Sequence, residues 1–181
     1  LLGLLVVLCI VFSLGLSWVV FQDSVVSSDE WSYLIQAHIF SHGRLSVPSP
    51  SHREFFDHVH IVNNGQYYSK YPPGWPLLLA LGVLCGVPRL VNPLLGAGTL
   101  LLLYAIGKQL YTPRIALLAA LCTLASPYFL FNTASYFAHT ASLFFVTLLF
   151  LLLLKGWEES NALYFFLAGI SGSASLLVRP F

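Results

Sequence analysis

The chain has 181 residues, of which 57% are hydrophobic and 8% charged, with a formal net charge of +1. Its mean hydropathy is +0.81. Soluble domains carry about a quarter of their residues as charges, so this composition excludes a soluble globule, and the lack of any basic patch gives no sign of a nucleic-acid partner.

The expected fold is an all-α membrane protein, with several transmembrane helices and an external loop carrying amphipathic juxtamembrane helices. No Met occurs and the first residues are already apolar, so the chain reads as the amino-terminal part of a longer protein. A helix needs about 20 apolar residues to cross ~30 Å of hydrocarbon. Residues 1–21 meet that length and exceed a signal-peptide core of about 7–15 residues, so they are expected to be a retained first span. Four more spans are expected over residues 90–109, 115–131, 140–154 with their flanks, and 162–178. Residues 76–85 are apolar too, but ten residues at 1.5 Å each reach only about half-way across, so an interfacial helix is expected there. Cys9, Cys85 and Cys122 lie in apolar stretches, which favours buried thiols over a disulfide framework.

Orientation follows from the basic residues. The short loop holding Lys108 and Arg114 is the expected cytoplasmic side, followed by the loop at Lys155. That choice places residues 22–74, the turn over 126–139 and Arg179 on the outer side. The division expected is a first span at 1–21, an external catalytic loop at 22–74, and an interfacial helix with further spans over 75–181.

Residues 22–74 cannot sit in hydrocarbon. They hold eight of the fifteen Asp, Glu, Lys and Arg residues and five of the six His. Within them, residues 29–42 place Trp31, Leu34, Ile35 and Ile39 near one face and Glu30, His38 and His42 toward another, the pattern of an amphipathic surface helix. Ser28 is the expected N-cap, with Asp29 and Glu30 in the first turn, where the helix dipole favours negative charge. Gly43 is its stop, residues 44–51 are extended, and Asn63 to Gly65 mark a turn before Gln66.

Asp29 and Glu30 follow an apolar span by a few residues. A carboxylate at the edge of a low-dielectric region has an ionisation its neighbours can tune, which suits a general base. Lys70 precedes Tyr71-Pro72-Pro73-Gly74; the prolines keep it in an extended segment at the head of the next helix, where an ammonium can meet a lipid phosphate or snorkel to headgroups. His38 and His42 are spaced i, i+4 without an intervening acid, and Asp57-His58-Val59-His60 is equally weak as a metal signal.

The order of these features resembles the integral-membrane glycosyltransferases of the C-type fold, in the branch of protein O-mannosyltransferases and the aminoarabinose transferase of lipid A. The likeness runs from Asp29-Glu30 through Lys70-Tyr-Pro-Pro-Gly, Ser126-Pro127-Tyr128 and Tyr136-Phe-Ala-His139 to Arg179-Pro180. It implies transfer of a sugar from a polyprenyl-phosphate carrier to an acceptor hydroxyl of a protein, lipid or polymer, with inversion, on the outer face of a bacterial inner membrane. It also implies that Asp29 deprotonates the acceptor, Glu30 supports the site, Lys70 and Arg179 contact the donor phosphate, and Tyr33, Tyr71 and His139 line the cavity. Asp29 and Lys70 are then expected to border one hollow. The likeness departs at Ser69, where the aminoarabinose transferase has a metal-holding acid, so no metal site is carried over, although members of the wider fold use divalent ions. Two other classes remain open, a polytopic transporter and a non-catalytic membrane scaffold; a transporter would place ionisable groups inside its spans or at broken helices.

Overall fold

Prolines at helix starts and polar caps divide the apolar sequence into eight α-helices among the described residues, in a computed structural model that describes residues 1–22 and 24–180. Asp23 and Phe181 lie outside the described residues. The first helix, α1 (Leu2–Val19), is apolar along its whole length. It is followed by α2 (Ser28–Ser41), which begins in a capping box: Ser27 accepts from the Glu30 N–H while Glu30 accepts from the Ser27 N–H. The cap is thus one residue earlier than the expected Ser28, because Glu30 sits at the third helical position that such a box requires. Gly43, with φ +69°, stops the helix as expected.

Three short strands follow, β1 (Val47–Pro48), β2 (Ile61–Asn63) and β3 (Gln66–Ser69), forming an antiparallel sheet in the order β1-β3-β2. Val47 pairs with Tyr67 and Ile61 with Ser69. The expected turn after Asn63 becomes the β2–β3 hairpin, where Gly65 takes a φ of +105° that disfavours a side chain. The sheet itself was not expected, since each strand is too short to show an alternating pattern.

Six helices remain: α3 (Gly74–Leu84), α4 (Val91–Leu110), α5 (Pro113–Leu124), α6 (Pro127–Ala134), α7 (His139–Glu159) and its hairpin partner α8 (Ala162–Val178). Helix α4 is central, packing on α1, α5, α6 and α7, while α2 lies against α3. One core joins Tyr33 and Ala37 of α2 to Trp75 and Leu79 of α3, Tyr136, Ala141 and Val178. A second joins Leu5 and Cys9 to Leu100, Ala120, Leu124 and Phe129.

Among the described residues, three helices are long and apolar enough to cross a membrane, at Leu2–Val19, Pro88–Leu110 and His139–Glu159. The span expected over residues 115–131 is two helices that meet at a 64° bend, Pro113–Leu124 and Pro127–Ala134. Ser126 caps the second helix and Pro127 lacks the N–H that would continue the first. Helix α8 has 17 residues, about 26 Å at 1.5 Å per residue, short of a full crossing unaided. Leu4, Val7, Val11, Leu118 and Leu121 are exposed on α1 and α5, as lipid-facing residues are. This is an integral membrane protein. Cys9 is buried, but Cys85 and Cys122 are exposed, and all three are free thiols; apolar surroundings in the sequence signalled lipid-facing as well as interior positions.

Candidate active site

The site is built on α2. Of the expected Trp31, Leu34, Ile35 and Ile39 stripe, Ile39 is buried and Leu34 and Ile35 are half-buried, but Trp31 is 49% exposed, and the buried face is shared with Glu30, Ser32, Tyr33 and Gln36. The polar residues go inward because each has a partner there. Ser32 donates to the His60 carbonyl (3.0 Å) and shares a 2.6 Å hydrogen bond with Ser69. Gln36 donates to the Leu45 carbonyl and accepts from the Ser69 N–H (2.8 Å).

Glu30 is 1% exposed. One oxygen accepts from the N–H groups of Val26 (2.8 Å) and Ser27 (3.0 Å), and the other from the N–H of Tyr136 (2.7 Å). Trp75 donates to the Tyr136 carbonyl, and Asn92 to the carbonyls of Ser135 and Phe137. Side chains of three helices therefore hold the backbone that leads into His139.

Asp29, one residue earlier, faces the loop. Its Oδ1 accepts from the Tyr71 hydroxyl (2.7 Å) and lies 2.8 Å from His60 Nε2. Tyr71 stacks on Tyr33 at 4.7 Å between ring centroids and on His60 at 5.1 Å. Burial, then the Asp29 charge, push the Tyr33 hydroxyl up to about 12, opposed by the Arg179 guanidinium. The Tyr71 hydroxyl is raised by burial, by its hydrogen bond to Asp29 and by the Asp29 and Tyr33 charges, again opposed by Arg179. Tyr71 is therefore an O–H donor at physiological pH.

Arg179 is brought here by a close backbone approach. A Cβ on Gly74 would lie 2.6 Å from the Leu177 carbonyl carbon and oxygen, so only glycine lets the start of α3 touch the end of α8. Arg179 then donates to His139 Nε2 (2.6 Å). Both line a groove of about 700 Å³ between α5, α6 and α7, with Asn132 and Thr140 at its polar side and Phe129, Leu143 and Val146 as apolar wall. Thr140 is 2% exposed and its hydroxyl has no partner among the described residues.

The structure thus joins Asp29, Tyr33 and Tyr71, and brings Arg179 and His139 into their electrostatic reach. It does not bring in Lys70, whose ammonium donates to the Val59 carbonyl (2.8 Å); neither Asp29 nor Lys70 lines the groove. The expected hollow between those two residues is replaced by one whose cation is Arg179. The reason is alternation along an extended segment: Ser69 and Tyr71 turn inward, so Lys70 turns out. His60, at the Asp29 carboxylate, was set aside in the sequence as part of a weak histidine pattern; nothing short of the β2–β3 pairing would have found it. No three His, Cys, Asp or Glu side chains come together among the described residues, and Ser69 is committed to Ser32, so the residues present do not fit a divalent ion and no step below runs through one.

A family model described as dolichyl-phosphate-mannose-protein mannosyltransferase matches residues 72–181, more than half of the chain. The chain belongs to this family. It is a membrane glycosyltransferase of the mannosyltransferase type. Comparison with curated proteins and with solved structures returns no match. The segment matched by the mannosyltransferase family contains Gly74, His139 and Arg179 but begins after Asp29, Glu30, His60 and Lys70.

Proposed function

We propose that this mannosyltransferase-family chain moves a sugar from a polyprenyl-phosphate carrier to an acceptor hydroxyl on the outer face of the membrane, with inversion, and that Asp29 takes the acceptor's proton. The observation that carries this reading is a partly exposed carboxylate within electrostatic reach of a groove that is cationic at one end and apolar along its wall. An amphiphile with an anionic head suits such a groove. The phosphate would sit by Arg179 and the N-terminus of α7, which no side chain caps among the described residues and which favours anions. The first isoprene units would lie along Phe129, Leu143 and Val146, a run of about 10 Å from His139 to Val146.

In the proposed step, the acceptor oxygen bonds to the anomeric carbon from the face opposite the phosphate, the carbon–phosphate-oxygen bond breaks, and the proton passes to Asp29. A phosphate monoester leaves with little acid assistance, so a base and a cation suffice. Glu30 supports the site from behind by holding the turn before His139. Lys70 reaches the phosphate only by releasing Val59. The family's description makes mannose the first sugar, and a protein hydroxyl the first acceptor, to test.

General-base catalysis contributes about 10²–10⁴-fold. Asp29→Asn in the full-length protein is therefore expected to lower transfer from a panel of polyprenyl-phosphate sugars by at least about 100-fold without lowering membrane abundance. Undiminished turnover overturns the assignment of the base. The bend between α5 and α6 favours a second reading, since transporters use broken helices, although Ala125 and Ser126 at the bend carry no charge. Uptake of a labelled solute into vesicles with no sugar transfer would decide for it.

A further inference from the structure

We infer that His60 and Tyr71 are positioning residues that clamp one oxygen of Asp29, leaving the other to receive the acceptor proton; this rests on the reading of Asp29 as the base. A carboxylate has two oxygens with about four lone-pair sites. Both contacts to Asp29 fall on Oδ1, from the Tyr71 hydroxyl at 2.7 Å and from His60 Nε2 at 2.8 Å. Oδ2 has no hydrogen bond or ion pair among the described residues, and the Asp29 side chain is 37% exposed. The two oxygens thus have different tasks. One is held in place, and the other is left without a partner among the described residues.

The clamp is itself held by backbone. The Tyr71 N–H donates to Ser69 Oγ (3.2 Å), Ser69 and Ser32 share a 2.6 Å hydrogen bond, and Ser32 donates to the His60 carbonyl. The Lys70 N–H donates to that same carbonyl (3.0 Å). Helix α2 therefore fixes both clamping residues relative to the acid it carries. Stacking of Tyr33, Tyr71 and His60 fixes the ring planes.

Proton counting says which groups donate. Tyr71 has one hydroxyl proton and gives it to Asp29. Nε2, so close to the carboxylate, meets it as an N–H, because two lone pairs at that distance repel, and Nδ1 lies 3.1 Å from the Tyr71 oxygen. Two donors on Oδ1 thus set the acid's plane before substrate arrives. Placing a reacting group in advance lowers the barrier by removing rotational freedom, and a misplacement of about 1 Å costs on the order of 10²-fold.

The test compares Asp29→Asn, His60→Ala, His60→Gln and Tyr71→Phe in the full-length protein, using polyprenyl-phosphate sugars as donor. His60→Ala is expected to lower kcat by about 10- to 100-fold at unchanged donor KM and unchanged abundance. His60→Gln, which offers an amide N–H near the position of Nε2, should recover part of that loss. A purely structural His60 would lower abundance instead, with no kcat-specific effect. Full kcat in His60→Ala beside an inactive Asp29→Asn overturns the clamp and leaves the base assignment standing, whereas an active Asp29→Asn removes the base itself. One measurement needs no substrate: diethylpyrocarbonate labelling of His60, followed by peptide mass, should be faster in Asp29→Asn than in the unsubstituted protein. Equal labelling rates overturn the contact.

Discussion

At the scale of single residues, the division of labour between the two loop-side cations is the sharpest expectation. Arg179 lies in the groove against His139, whereas the Lys70 ammonium is spent on Val59. Charge-assisted hydrogen bonds contribute about 1.5–3 kcal/mol. Arg179→Ala is therefore expected to raise the apparent donor KM by roughly 10- to 150-fold, and Lys70→Ala by less than about threefold. Steady-state kinetics on the two variants checks the order; a larger effect at Lys70 would restore the pairing anticipated from the sequence. That pairing was legible only as far as residue type. The sequence puts an acid after one span and a lysine before the next helix, but whether an extended residue points in or out depends on the strand pairing that sets its register. Asp29, Tyr33, Tyr71, His139 and Arg179 were named from spacing and resemblance, and His60 was passed over because two histidines in a polar loop have no periodicity to distinguish them.

At the scale of elements, the decisive contact is the three-helix grip on residues 135–137. Glu30→Ala would leave the buried Tyr136 N–H without an acceptor, at a cost of about 1–3 kcal/mol, in addition to ~1 kcal/mol for the lost cap. Glu30→Gln keeps an acceptor oxygen and should lose less. Thermal unfolding in detergent checks the order, and equal midpoints for Glu30→Ala and the unsubstituted protein would contradict it. Gly74→Ala forces α3 away from α8 and is expected to cost about 1–3 kcal/mol, as overpacking does, with donor KM rising as Arg179 shifts. Helix α2 was predicted within one residue at each end, since caps and glycine stops are local signals. Its inward face was not, because hydrophobic patterning discounts Glu30, Ser32 and Gln36, whose partners beyond the helix cap stand between 9 and 106 residues away.

At the scale of the whole molecule, apolar length set the first, second and fourth expected spans correctly, while Ser126-Pro127 broke the third into two helices. The proposed outer location of the loop is checked by replacing the three native cysteines with alanine and introducing Ser51→Cys in the exposed loop. A membrane-impermeant maleimide added outside intact cells should label it; labelling only after permeabilisation would place the loop inside. The 64° elbow has one more effect. With Tyr128 and Leu143 exposed at its side, the space beside α7 is not walled off from the surrounding acyl chains, so the proposed polyprenyl carrier can step in by its head alone while its tail stays dissolved in the bilayer. Turnover should then be nearly indifferent to trimming that tail beyond the first few isoprene units, until it grows too short to remain in the lipid.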